Sequence, residues 1–112
     1  MRDAASEFAA IQAMHPSASL HTENNVPLVM LPDFKFRAGG KPVQMALLLH
    51  PSAHSGYVTR LFFEQKLEGA GQSKNWNPHT VLTRTWWAPS WKDVIADQTW
   101  TSMLCAHLRA VA

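Results

Sequence analysis

The sequence predicts an α+β fold in which a helix at each end of the chain flanks a four-stranded antiparallel meander. Apolar residues near both ends recur at the three-to-four-residue spacing of helices. The middle of the chain instead alternates apolar and polar residues and contains short turn sequences. The resulting order is N-terminal helix, meander, crossing segment and C-terminal helix, which is typical of a layered α+β architecture.

The first helix is predicted over residues 3–14, where the sequence is rich in alanine. Asp3 is a suitable N-cap because its carboxylate can accept a hydrogen bond from a free backbone amide of the first turn. The apolar residues near one face are Phe8, Ile11 and Met14. Pro16 ends the helix because the residue before a proline disfavours the helical region. Residues 15–25 are polar and are predicted to form a turn.

Extended segments are predicted between residues 26 and 87. Their bounds are Val26–Met30, Asp33–Arg37, Pro42–His50, Tyr57–Leu67 and Thr80–Trp87. Pro27 and Pro32 bound the first segment, which suits an edge position because proline donates no hydrogen bond to a neighbouring strand. The pair Gly39–Gly40 indicates a hairpin between the second and third segments. The last segment is rich in β-branched and aromatic residues, which favours a strand.

The C-terminal part of the chain is predicted to leave the sheet and end in a helix. Pro89 ends the last strand, and residues 90–96 form the crossing segment. Asp97 is the predicted cap of a helix over about residues 98–111. Its apolar positions follow helical spacing and are Trp100, Met103, Leu104, Leu108 and Val111.

Length and composition predict a single domain over residues 1–112 in the cytoplasm. The chain has 112 residues, 46% of them hydrophobic, which is enough for one packed core. Ten basic against eight acidic residues give a net charge of +2, and their scattered positions argue against a nucleic-acid partner. No stretch approaches the ~18 apolar residues of a membrane span, so no membrane association is expected. The single cysteine excludes an internal disulfide and suits a reducing compartment.

Neither the histidines nor the cysteine indicates a metal or cofactor site. His50 and His54 have the i, i+4 spacing of paired ligands on a helix, but Pro51 and Gly56 disfavour a helix there. A zinc ion needs at least three protein ligands, and a third would have to come from elsewhere in the fold. Cys105 lies within the predicted last helix between apolar residues, which predicts a buried structural thiol. No cofactor is therefore predicted.

The richest candidate region is residues 75–94, which contains four of the five tryptophans. His79, Thr83 and Thr85 have the same parity in the predicted strand, so they are expected to share a face. Ser90 follows Pro89 in a rigid turn. A hydroxyl needs a base within hydrogen-bond reach to act as a nucleophile, so His79, Thr85 and Ser90 are the candidate catalytic residues. The alternative is that the threonines are ordinary sheet residues.

The tryptophans themselves support a second alternative. Indole rings are large and apolar, so most of the five are expected in the core. They also serve as recognition surfaces, and the four in this region could line one. They are Trp76, Trp86, Trp87 and Trp91. The alternative function is therefore a non-catalytic, aromatic-lined protein-binding module or scaffold subunit.

Several short motifs, together with the order of the elements, resemble a known family. The motifs are Leu49-His50-Pro51, Gly56-Tyr57, Arg60-Leu61-Phe62-Phe63, Trp76, Arg84-Thr85-Trp86, Ser90-Trp91 and the closing Leu104 to Leu108. Over roughly residues 3–111 the chain resembles bacterial members of the ubiquitin-conjugating-enzyme-like (UBC-like) superfamily, found in prokaryotic ubiquitin-like modification systems. The resemblance implies the helix, meander and crossing segment described above, with an active segment just after the last strand.

The resemblance also implies a function and partners. The chain would be a transferase-like component of a bacterial conjugation pathway, carrying or docking a ubiquitin-like protein after its activating enzyme has acted. The family uses a cysteine thioester supported by a nearby histidine and asparagine, but no cysteine occupies that region here. If these family roles are carried over to this chain, His79 with Asn75 or Asn77 would support the site. Thr83, Thr85 or Ser90 would then stand in place of the nucleophilic cysteine. Two possibilities follow: an ester on a hydroxyl, or an inactive homologue that binds the modifier or its activating enzyme.

Overall fold

The computed structural model describes residues 3–54, 56–67, 75–90 and 94–112. These residues form two helices and one six-stranded sheet in which every neighbouring pair of strands is antiparallel. In chain order the elements are α1 Ala4–Met14, β1 Ser19–Glu23, β2 Val26–Ala38, β3 Lys41–His50, β4 Arg60–Phe63, β5 Trp76–Val81, β6 Arg84–Pro89 and α2 Trp100–Val111. The strands are arranged in the order β1-β2-β3-β4-β6-β5.

The predicted fold class of a four-stranded UBC-like meander with a crossing segment was wrong, because the sheet has six strands. One additional strand is β1, which lies in the region predicted to be a polar turn. Asn24 and Asn25 both have positive φ angles, 52° and 65°, and form the tight turn between β1 and β2. An edge strand exposed on one side carries polar residues, so β1 lacks a clear apolar period.

A β-bulge explains why one long strand was predicted as two short ones. β2 runs through Pro32, and its register with β3 shifts between Leu31 and Phe34. Asp33 adopts a positive φ of 51° at this shift. A bulge accommodates a proline because it leaves one residue outside the ladder of hydrogen bonds. The strand therefore continues after the proline that was predicted to end it.

The segment predicted as one strand over Thr80–Trp87 is a hairpin. Leu82 and Thr83 have positive φ angles of 52° and 60° and form the turn between β5 and β6. A leucine and a β-branched threonine are uncommon at positive φ, so no sequence signal marked this turn. β4 is also shorter than predicted. Within the predicted crossing segment, residues 91–93 lie outside the described residues.

Three local predictions were confirmed. α1 begins after Asp3, whose carboxylate accepts a hydrogen bond of 3.2 Å from the amide of Ser6. Gly39 and Gly40 form the β2–β3 turn, both with positive φ. A C-terminal helix is present as α2, although its N-cap is Thr99 instead of the predicted Asp97. None of the helices in the described part of the chain is long and apolar enough to cross a membrane.

The sheet has an apolar core on each face. Both helices pack on one face, where the buried residues include Ile11, Val29, Leu31, Leu47, Leu49, Leu61, Phe63, Trp100, Met103 and Leu104. The opposite face has its own core of Leu28, Ala46, Leu48, Phe62, Val81, Trp86 and Ala88. The amide of Leu82 donates to the carboxylate of Glu23 at 3.2–3.3 Å. Because Glu23 ends β1 and Leu82 follows β5, the sheet must curl to bring its two edge strands together around this second core.

A buried hydrogen-bond network connects α2 to the segment before β4. The Thr59 hydroxyl donates to the Val94 carbonyl at 2.8 Å and lies 3.0 Å from Nε2 of His107. Since a hydroxyl has only one hydrogen to donate, Nε2 of His107 carries a proton and donates to Thr59. Both side chains are almost completely buried. Burial lowers the pKa of His107 to about 4, with a smaller contribution from Arg60.

Replacing Thr59 with valine should lower the free energy of unfolding by about 2–3 kcal/mol, because it leaves two buried polar groups without a partner. Valine preserves the shape of the side chain, so little of this loss would come from a cavity. Urea unfolding followed by circular dichroism would measure it. Thr85→Val is the matched control, since Thr85 is exposed and should change stability by less than about 0.5 kcal/mol. Equal stability of the two variants would contradict the network.

Candidate functional site

The structure separates the three predicted catalytic residues. His79 of β5 pairs with Trp86, whereas Thr85 of β6 pairs with Thr80. Directly paired residues share a face of a sheet, so His79 and Thr85 lie on opposite faces. Their predicted alignment was wrong because the turn at residues 82–83 starts a second strand. Ser90 is half-buried, and its amide donates to the Asn75 carbonyl at 2.9 Å.

No described histidine or carboxylate lies within hydrogen-bond distance of the Thr85 or Ser90 hydroxyl. Nε2 of His79 has no hydrogen-bond partner among the described residues, and the carboxylates of Glu7, Glu23 and Glu64 accept from other groups. Because a hydroxyl nucleophile requires an adjacent base, this arrangement offers no activated hydroxyl. A catalytic role for Ser90, Thr85 and His79 stays a prediction.

The described tryptophans belong to both cores. Trp86 is fully buried and donates from Nε1 to the Val81 carbonyl at 3.2 Å. Trp100 is 7% exposed. Trp76 is half-buried and packs against Phe63 on the helix side, with 5.3 Å between ring centroids. Trp87 is also half-buried, and Trp91 lies outside the described residues. The four described indoles therefore do not line one common surface.

Three histidines from different parts of the chain meet on the second core. This histidine cluster consists of His50 at the end of β3, His54 in the following segment and His79 in β5. The ring centroids of His50 and His54 are 5.0 Å apart, and those of His54 and His79 are 5.3 Å apart. All three rings contact Phe62 edge to face, at 5.1–6.2 Å. His79 is thus the third member of the cluster, and its position beside His50 and His54 could not be seen from the spacing of the histidines in the sequence.

The cluster favours uncharged imidazoles. Burial lowers the pKa of all three, and it lowers that of His54 to about 4 together with the repulsion of His50, His79 and Arg60. Nδ1 of His50 lies 2.7 Å from the Ser52 carbonyl and donates to it in the neutral ring. Nδ1 of His54 and Nε2 of His79 are buried without a hydrogen-bond partner among the described residues.

The arrangement of the rings differs from that of a metal centre. A zinc ion requires ligand nitrogens that converge on one point about 2.0–2.1 Å away. Instead, the His54 ring contacts the other two rings edge to face, and all three contact Phe62 in the same way. In the part of the chain that the structure describes, no group of three or more histidine, cysteine, aspartate or glutamate side chains is placed to hold a metal ion.

The outer side of α2 carries two adjoining grooves. Their volumes are about 340 Å³ and 350 Å³, and both are lined by Cys105 and Arg109. The other lining residues are Arg37, Leu108 and Ala112 in the first groove and Met14, Gln98, Thr101 and Ser102 in the second. We call these lining residues together the α2 surface. The prediction that Cys105 is buried was wrong, because the buried residues of α2 occupy its other side and Cys105 is exposed.

The charged side chains that line the α2 surface are arginines. Arg37 and Arg109 line the grooves, and no acidic side chain does. Lys41 is exposed in the nearby β2–β3 hairpin, where the amide of Gly39 donates to the Val111 carbonyl at 2.9 Å. Among the described residues, the ion pair that is formed joins Arg84 to Glu64 and includes neither of these arginines nor Lys41. Arg37 donates one hydrogen bond, to the Gly40 carbonyl at 2.6 Å.

Several carboxylates that could neutralise this surface are engaged elsewhere. Glu7 accepts a hydrogen bond from the amide of Trp100 at 2.7 Å, and Glu23 accepts from the amide of Leu82. Glu64 accepts from the amide of Ala46 and pairs with Arg84. The small net charge of the chain therefore hides a local concentration of positive charge near the C-terminal end of α2.

Comparison of the chain with protein-family models, curated proteins and solved structures finds no match.

Proposed function

We propose that the protein is a non-catalytic protein-binding module that docks an acidic, partly apolar segment of a partner on the α2 surface. The observation that carries this proposal is the meeting of two grooves at Cys105 and Arg109, with a second arginine and no acidic side chain in their lining. The histidine cluster is a weaker candidate for ligand binding because its free ring nitrogens are inaccessible.

The chemistry of the surface fits such a segment. Guanidinium groups bind carboxylates through two parallel hydrogen bonds, so Arg37 and Arg109 suit glutamate or aspartate side chains. Met14 is 61% exposed, and Met14 and Leu108 provide apolar contacts beside the arginines. Each groove falls in the ~300–1,000 Å³ range of sites that accommodate small ligands or side chains. Since α2 is anchored on the sheet by its buried face, the surface is held in place before binding.

The function implied by the family resemblance stays a prediction. Docking on α2 would suit the scaffold form of that prediction, in which the chain binds a ubiquitin-like protein or its activating enzyme without carrying it covalently. The proposal itself rests on the charge and shape of the α2 surface and requires neither of those partners.

The single cysteine provides a direct test, because Cys105 lies between the two grooves and can carry an environment-sensitive maleimide dye. We expect a synthetic peptide of alternating glutamate and leucine to change the dye emission saturably. The same peptide with lysine in place of glutamate should not, and raising the salt concentration should weaken binding. Calorimetry with unlabelled protein should give the same affinity, which controls for interference by the dye.

Arg37→Gln and Arg109→Gln should each weaken binding of the glutamate–leucine peptide about three- to tenfold, because each removes one exposed carboxylate contact. Arg84→Gln is the matched control, since it removes the same charge from a residue that pairs with Glu64. Equal losses in all three variants would indicate only a general effect of net charge and would contradict the proposal. So would an absence of peptide binding, or single-stranded DNA binding with the same arginine dependence in place of the peptide.

A further inference from the structure

We propose that the histidine cluster is an acid-sensitive latch that holds the β5–β6 hairpin on the sheet at neutral pH and releases it when the cluster takes up protons. The inference is independent of docking on α2, which uses the other side of the molecule. It follows from the contacts of the three rings, from the few strand pairings of the hairpin and from the charges that face the cluster.

The first argument is that the cluster joins three separate segments. His50 belongs to β3, His54 to the segment that follows it, and His79 to the β5–β6 hairpin. His54 contacts both other rings, and all three rest on Phe62 of β4. The isolated bridge between His54 and Tyr57 holds the middle segment in its bend. Moving His79 away from His54 would therefore separate the hairpin from the rest of this cluster.

The second argument is that few strand pairings attach the hairpin to the sheet. β6 and β4 share one register pair, Phe63 with Trp87, whereas β2 and β3 share eight. The other described polar contacts of the hairpin with other strands are the Arg84–Glu64 ion pair, the bond from Leu82 to Glu23 and the bond from Arg60 to the Pro89 carbonyl at 3.3 Å. The ring contacts therefore add to the apolar packing of Val81, Trp86 and Ala88 in the second core, and the hairpin can separate while β2 and β3 stay paired.

The third argument concerns the charges around the cluster. Arg60 of β4 opposes protonation of His54 and His79, and it lies 4.3 Å above the ring of Tyr57 from the preceding segment. Glu23 of β1 favours protonation of His50 and His54 but is the weaker influence beside burial. Arg84 of β6 is already paired with Glu64. Protons taken up by the closed cluster would thus add positive charge beside Arg60, and little negative charge is close enough to compensate for it.

The direction of the pH effect follows from the lowered pKa values. The pKa of His54 is about 4 in the closed form, against an ordinary value of 6.5 for an open, solvated ring. Between these two pH values the open form therefore binds more protons than the closed form. The free energy that favours the closed form is lost as the pH falls from about 6.5 toward 4, and it changes little below pH 4. His54 alone would raise the open fraction about 25-fold between pH 7.5 and pH 5.0. His50 and His79 act in the same direction.

Hydrogen exchange measured by mass spectrometry at pH 7.5 and pH 5.0, corrected for intrinsic exchange rates, tests the latch. We expect protection of peptides from residues 76–89 to fall at least 30-fold, whereas protection of residues 26–50 stays constant. In the His54→Gln, His79→Gln double variant, the loss on acidification should shrink to less than about a third of the wild-type loss, and His50 accounts for the remainder. His21→Gln is the matched control, because His21 of β1 bonds Ser19 and lies outside the cluster. It should behave as the unmodified chain does.

Three results would overturn the proposal. Simultaneous loss of protection in both regions would mean global acid unfolding, to which the buried His107 contributes. An undiminished pH response in the double variant would assign the effect to other groups. Restoration of hairpin protection at pH 5.0 by micromolar zinc, reversed by chelation, would show that the histidines bind a metal. The experiments behind the first two results use wild-type protein or conservative glutamine variants. If the double variant does not fold, the single variant His54→Gln replaces it.

Discussion

Trp86→Ala should lower the free energy of unfolding by about 4–5 kcal/mol, at the upper end of the range for a buried aromatic residue. Trp86 is fully buried and forms the centre of the second core with Phe62 and Val81. Alanine would leave a cavity and would also leave the Val81 carbonyl without its indole partner. Equilibrium denaturation followed by far-ultraviolet circular dichroism would give the difference without depending on tryptophan fluorescence.

The neighbouring residue provides the control for this experiment. Trp87 is half-buried and points to the opposite face of the sheet, since it pairs with Phe63 of the helix-side core. Trp87→Ala should therefore cost clearly less, about 1–2 kcal/mol. If the two variants were equally stable, the second core would not be the tightly packed layer that the structure shows.

Trp100→Ala should lower the free energy of unfolding by about 3–4 kcal/mol, the second largest expected effect. Trp100 is 7% exposed, begins α2 and packs in the helix-side core. Its backbone amide donates to the Glu7 carboxylate at 2.7 Å, and the substitution leaves this bond to α1 intact. The expected loss therefore reports the indole ring alone.

Thr101→Ala is the control for Trp100→Ala. Thr101 occupies the next position of α2 and is half-exposed, so its replacement by a strong helix former should change stability by less than about 0.5 kcal/mol. Urea midpoints of the two variants can be compared directly if their slopes agree. An unchanged urea midpoint for Trp100→Ala would show that the Trp100 side chain does not contribute to the core.

Features that depend on local preferences were predictable. The Asp3 cap, the Gly39–Gly40 turn and the periodic apolar face of α2 each involve residues that are close in sequence. The extra turns were harder to predict for different reasons. Asn24–Asn25 is a recognisable turn signal, but the short strand before it lacks a clear apolar period, whereas Leu82–Thr83 carries no such signal.

The candidate sites depended more strongly on tertiary structure. His50 and His54 were noticed for their spacing, but His79 joins them only because the hairpin is placed against Phe62. Similarly, the charge of the α2 surface arises because the β2–β3 turn meets the end of α2, which brings Arg37 near Arg109. Neither meeting follows from residue spacing, since each joins segments that are far apart along the chain.

The sequence alone determined the α+β class, the two terminal helices and the hairpin at Gly39–Gly40. These features follow from short-range backbone preferences and from the period of apolar residues. The tertiary structure alone decided the number of strands, the separation of His79 from Thr85, the exposure of Cys105 and the grouping of the three histidines. These depend on strand register and on the curl of the sheet, and a one-residue change of register exchanges the two faces of a strand.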